Sequence, residues 1–165
     1  MALGREGDRI LLHGSVVSRL IKSLADGLPC CVTITHLDGL VLARSSFNSS
    51  MNYRSLMVFG SATLVSEEQE RIRSLDILVE HLAPGRLAEL RPSTRKELNA
   101  TTLLTLPLET FSIKCRNGPP GDAKADLDTP IWAGVIPFTQ TAGEPQPSPD
   151  MPEDIKLPDY LQTPA

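Results

Sequence analysis

The stretch Arg9-Ile-Leu-Leu-His-Gly-Ser-Val-Val-Ser-Arg-Leu-Ile-Lys22 decides how the chain is read. Ile10-Leu11-Leu12 is a short apolar run, the pattern of a buried strand. The run ends in His13-Gly14, and Ser15 is placed to cap a helix. A helix from about Val16 to Asp26 sets Val17, Leu20, Ile21, Leu24 and Leu28 on one side, and Gly27 suits its end. Ser18, Arg19 and Lys22 then stand in its opening turns. A strand that breaks at glycine into a helix points backbone N–H groups at one spot. Two cations beside that spot make it attractive to phosphate. The plainer reading is a capped helix with solvated cations, and taken alone the stretch favours it.

Upstream, residues 1–8 are short and polar, and Gly7-Asp8 has hairpin-turn chemistry, which asks for a strand ahead of it, yet almost none is legible there. Downstream, Pro29 to His36 is rich in β-branched residues and reads as a strand. Asp38-Gly39 reads as a hairpin turn, with Leu40 to Arg44 as the return strand. Residues 45–52 form a polar loop before a long strand from Tyr53 to Val65. One face of that strand (Leu56, Val58, Gly60, Ala62, Leu64) suits the inside of a small barrel. Arg54 lies on the same face at its open end, where a guanidinium is costly unless an anion or carboxylate meets it.

Ser66-Glu-Glu-Gln69 and Thr94-Arg-Lys-Glu97 are capping boxes that open two further helices. The first runs to about Leu82, with Ile72, Leu75, Leu78, Val79 and Leu82 on one face. Thr101 to Arg116 reads as one or two strands broken near Pro107, and Ile131 to Ile136 as the last strand. The expectation is a mainly β domain, a β-barrel with flanking helices, antiparallel where hairpins are legible. It covers residues 1–138. Residues 139–165, rich in Pro, Asp, Glu and Gln, are expected to be a disordered tail.

Bulk properties narrow the function. The chain has 165 residues, 41% hydrophobic and 22% charged, enough for one domain with a core. A net charge of −4 and only 4% aromatics argue against a nucleic-acid surface. Cys30, Cys31 and Cys115 show no ligand spacing, so they read as reduced, buried thiols of a soluble cytoplasmic protein, with no metal and no membrane partner. No nucleophile elbow, Walker loop, GxGxxG or HExxH occurs. Any chemistry therefore falls to a bound cofactor. Ser50-Met-Asn-Tyr-Arg-Ser55 is a second candidate site, although an Arg paired with a nearby acid explains it equally well. Trp132, the only tryptophan, is a third, and core packing is its commoner role.

Several segments occur in one order: Gly7-Asp-Arg-Ile-Leu-Leu-His-Gly-Ser15, Ser18-Arg-Leu20, and Cys31 to Ser45 around Leu37-Asp-Gly39. They continue with Ser50-Met-Asn-Tyr-Arg-Ser-Leu-Met-Val-Phe-Gly60 and Trp132-Ala-Gly-Val-Ile-Pro137. From Gly7 to Pro137 this resembles the pyridoxamine-5′-phosphate-oxidase-related flavin-nucleotide-binding proteins, the branch that includes nitroimidazole-resistance proteins. The resemblance implies an FMN-binding split β-barrel that forms a homodimer, shortened here at the N-terminus by loss of its first strands. It implies that His13, Gly14 and Ser15 lie along the flavin, with Ser18 and Arg19 near its phosphate. Asn52, Tyr53, Arg54 and Ser55 would meet the phosphate or ring system. Trp132 would approach the isoalloxazine, and Lys114 is a weaker candidate. His13 is the one candidate proton donor. The function this implies is a flavin-dependent oxidoreductase. The alternatives are a non-enzymatic flavin or haem binder and an inactive shortened relative.

Overall fold

The computed structural model describes residues 1–152 and 154–162. Eight strands and three α-helices occur among them. The strands form two four-stranded antiparallel sheets. The chain divides into two compact units. One holds Met1–Cys31, Phe59–Thr110 and the described residues from Gly143 onward; the other holds Val32–Val58 and Phe111–Ala142.

In the first unit, β1 (Leu3–Glu6) and β2 (Arg9–Ser15) form a hairpin, with Leu3 opposite Leu12 and Glu6 opposite Arg9. Contrary to the reading of residues 1–8 as almost strandless, the turn at Gly7-Asp8 has a preceding strand, because Leu3–Glu6 pairs along β2, and Gly7 takes the positive φ of +55° that such turns require. β6 (Thr101–Pro107) pairs with the other side of β2, and β5 (Thr63–Leu64) closes the order β1-β2-β6-β5. Leu11 and Leu103 pack with Val65 and with Leu78 of α2 (Glu68–Leu82) to form the core. Each large aliphatic side chain in it contributes about 1.5–3 kcal/mol of burial.

α1 is shorter than the apolar spacing implies. It runs Arg19–Ala25 and is capped by Ser18, not Ser15, because β2 extends through Ser15 to stay paired with Thr101. Only Ile21 and Leu24 are buried; Val17 is 74% exposed, and Leu20 and Leu28 are exposed as well. α2 is capped by the carboxylate of Glu67, one residue after the serine of the expected box. Its Leu82 is exposed, and Ser74 and Leu78 are its buried residues. The second box is formed as expected, with Thr94 and Glu97 capping each other at the start of α3 (Arg95–Ala100).

The second sheet has the order β7-β4-β3-β8, from β7 (Thr110–Arg116), β4 (Ser50–Ser61), β3 (Pro29–Leu42) and β8 (Gly134–Pro137). Here the hairpin expected at Asp38-Gly39 is absent. β3 runs straight through the pair, and Gly39 lies opposite Pro137. The glycine serves close approach, not turning: a Cβ there would sit 2.8 Å from the Ile136 carbonyl oxygen. The cysteines also differ from expectation. Cys31 and Cys115 are exposed on strands, and only Cys30 is partly covered.

The Pro-rich end has no core of its own. Besides turns at Ser148–Met151 and Pro152–Ile155 it has a short helical turn, Asp159–Leu161, which places the Tyr160 ring beside Gly85. The Tyr160 hydroxyl donates to Glu89 at 2.9 Å and accepts from Arg86 at 3.2 Å.

Candidate functional site

The residues named from the sequence fall into two sets, one in each unit. His13, Gly14, Ser15, Ser18 and Arg19 follow β2 into α1. His13 is half-buried and its Nδ1 is buried without a hydrogen-bond partner among the described residues. His36 and His81 are exposed, so His13 is the histidine that packing holds in place. Gly14 has a packing reason as well. A Cβ there would meet the Ile21 side chain at 2.7 Å, and Ile21 is fully buried.

The hydroxyls of this corner accept backbone N–H bonds, Ser15 Oγ from Val17 and Ser18 Oγ from Ile21. Arg19 is exposed, and neither it nor Lys22 has an acidic partner among the described residues. Two unpaired cations one helical turn apart can meet an anion at no cost in broken ion pairs.

The second set lies in the other unit. Asn52 is 4% exposed and fully engaged. Its Oδ1 accepts from Arg116 Nη1 at 2.6 Å and from the Gly118 amide at 3.1 Å, while Nδ2 donates to the Gly118 carbonyl at 3.2 Å. Asn52 thus ties β4 to the chain leaving β7. Arg54 faces solvent, not a barrel interior, and is already met by a carboxylate. Its Nε and Nη2 donate to Asp38 at 2.9–3.3 Å. These bonds hold the Asp38 carboxyl below its ordinary range and raise the Arg54 pKa further.

Ser55 and Thr35 hydroxyls are hydrogen-bonded to each other at 2.8 Å. Tyr53 is half-buried. Lys114 is exposed on β7, without an ion-pair partner among the described residues. Trp132 is 64% exposed, not packed in a core, and its indole lies over Gly134, where a Cβ would meet it at 3.0 Å. An exposed tryptophan on a small residue is a flat apolar platform.

Sequence reading missed one polar centre in this unit. Asp122, with a side chain 3% exposed, accepts from the Arg44 backbone amide and from Arg44 Nη1, both at 2.8 Å. Arg44 Nε is buried with no partner among the described residues. The two residues are far apart in sequence, and nothing in the Gly-Pro-Pro-Gly-Asp122 loop announces its partner. Among the described residues no cluster of His, Cys, Asp and Glu could hold a metal ion. No helix among them is long and apolar enough to cross a membrane.

Two antiparallel sheets with few helices, a cation-bearing corner and an exposed aromatic platform define a protein of the split-barrel class. The chain belongs to the pyridoxamine 5'-phosphate oxidase family, which residues 1–115 match. Its structure superimposes with TM-score 0.92 on the FAD and heme binding protein from Mycobacterium smegmatis, at 43% identity over 97% of this chain and 78% of that one. The flavocytochrome Anf3 from Azotobacter vinelandii gives TM-score 0.91 at 41% identity, over 97% of this chain and 74% of that one. A candidate 5-nitroimidazole antibiotic resistance protein from Bacteroides thetaiotaomicron shares the fold at 20% identity (TM-score 0.55, 68% of this chain and 64% of that one). Among curated proteins none matches the chain.

Proposed function

We propose that this protein binds a flavin nucleotide and acts as a homodimeric flavoprotein. The observation that carries the reading is the 43% identity, over nearly the whole chain, to a protein described as binding FAD and haem. FMN is the flavin that the sequence resemblance implies. The names of the two similar flavoproteins favour FAD instead, whose second phosphate needs more cationic contact.

The residues present fit such a group. In the first unit Arg19 and Lys22, without acidic partners among the described residues, are available to phosphate, and the His13 Nδ1 is a buried polar atom in want of a partner; in the second, Trp132 is an exposed platform for a ring. A bound flavin would supply hydride or electron transfer. In this reading Arg19 holds phosphate, Ser15 and Ser18 keep the corner's backbone in shape, and His13 holds a proton at its ring. In the other unit Tyr53, Ser55 and Lys114 are further candidate contacts, Arg54 would have to leave Asp38 to serve, and Asn52 holds its own strand through Arg116 and Gly118. Oxidoreductase activity is the corresponding reaction class.

The visible spectrum of the purified protein, with mass analysis of the released cofactor, separates FMN from FAD. Protein that is colourless and takes up neither flavin would refute the reading. Arg19→Ala is expected to weaken flavin binding roughly ten- to a hundred-fold, the range for a lost charge-assisted hydrogen bond. Haem is a second reading, favoured by the haem in the first relative's description and by the orphaned His13 nitrogen. A Soret band on haem titration that His13→Ala removes would support it.

A further inference from the structure

The Pro-rich end and the turn after α2 line an open hollow of about 730 Å³ within the first unit. Its size lies in the range of small-molecule sites, roughly 300–1,000 Å³. Met151, Ile155, Leu157 and Leu161 line it, and each remains 36–54% exposed. Four large apolar side chains left that open around one hollow gain by being covered.

Two cations, Arg86 and Lys156, and one carboxylate, Glu89, line the same hollow. Arg86 is held in place by Glu89 (2.8 Å) and by the Tyr160 hydroxyl. Lys156 has no acidic partner among the described residues. The Tyr160 contacts fix the segment that supplies the apolar wall, so the hollow is held by hydrogen bonds and not only by loose chain.

From this pairing of an apolar wall with an unspent ammonium group, we infer that the hollow binds an amphipathic carboxylate, an aliphatic acid of medium chain length. The aliphatic body covers the wall, and the carboxylate meets Lys156, since Glu89 already offsets Arg86. Nothing in this inference depends on a flavin, since every residue used lies outside the cofactor corner.

The test uses the full-length protein labelled at methionine methyl groups, with and without added flavin, titrated with millimolar octanoate. Only four methionines occur, Met1, Met51, Met57 and Met151, and Met151→Leu identifies the reporter. The Met151 resonance is expected to shift saturably, and octylammonium, with the charge reversed, to leave it in place. Lys156→Gln should weaken octanoate binding roughly five-fold, the worth of a well-placed solvent-exposed ion pair. Ile155→Asp, which puts a carboxylate into the wall, should abolish the shift. A static Met151 line would overturn the proposal. So would a shift confined to Met57, or equal binding of octylammonium.

Discussion

At the scale of single residues, the buried polar groups sort into those that shape the protein and those left over. Asn52 makes three hydrogen bonds, all within its own unit, to Arg116 and to the Gly118 amide and carbonyl. Asn52→Ala takes the acceptor from the half-buried Gly118 amide and from one half-buried Arg116 N–H. It should therefore lower stability by about 2–3 kcal/mol, read from urea unfolding. Flavin affinity per folded molecule should change far less than in Arg19→Ala. The reverse pattern would assign Asn52 to the cofactor itself.

Glu6 is a second such group. Its carboxylate accepts from Arg9 Nε at 2.9 Å and also pairs with Arg73, so its pKa lies below the ordinary value, with the Arg9 hydrogen bond as the first cause. A depressed pKa gives stability that is complete above the ordinary carboxylate range, about 4.3. That stability is lost as pH falls toward the lower folded value. Glu6→Gln should therefore flatten the acid limb of the stability curve below that pH and lower the plateau near neutrality. Parallel curves for the two proteins would remove the Arg9 and Arg73 contacts from the account.

At the scale of elements, Gly39 decides whether β3 and β8 pair. A valine there would drive its Cβ into the Ile136 carbonyl and the Pro137 Cα at 3.2 Å, both backbone atoms that cannot swing away. Gly39→Val should cost about 1–3 kcal/mol, as overpacking does. It should also raise amide exchange along Gly134–Pro137. Exchange rates unchanged from the wild type would show that β8 holds without this contact.

The same glycine shows where sequence reading stops. Asp-Gly is strong turn chemistry only while its neighbours are unknown. Once β8 lies alongside, the missing side chain is worth more to strand packing, and Asp38 is fixed by Arg54 from β4. Local signals such as the Thr94–Glu97 box and the Gly7 turn were legible because both partners lie within a few residues. Asn52 with Gly118 and Arg44 with Asp122 were not, because each joins residues more than sixty positions apart. For the candidate site, residue types were legible, but engagement was not. Only the folded chain separates Arg19, which has no acidic partner among the described residues, from Arg54, which already holds a carboxylate.

At the scale of the whole molecule, the unsolved term is the apolar surface of the second unit. β7 is the outer strand of its sheet, and Phe111 and Ile113 on it are 54% and 64% exposed. Trp132, Ile136 and Phe138 are exposed in the same unit. An edge strand with large apolar side chains invites a further strand, and natural proteins seldom leave one bare. A second copy of this chain can supply it, since an antiparallel strand pair about a twofold axis is complementary to itself. Ile113→Asp sets a carboxylate on each side of such an axis, where the like charges repel and lose water. The wild-type protein should sediment as a dimer at micromolar concentration, and Ile113→Asp as a folded monomer with unchanged circular dichroism. A monomeric wild type, or a variant that remains dimeric, would take β7 out of the interface. Flavin titration of the monomeric variant then asks whether each copy holds its cofactor alone, and a loss of affinity larger than ten-fold would tie the site to assembly.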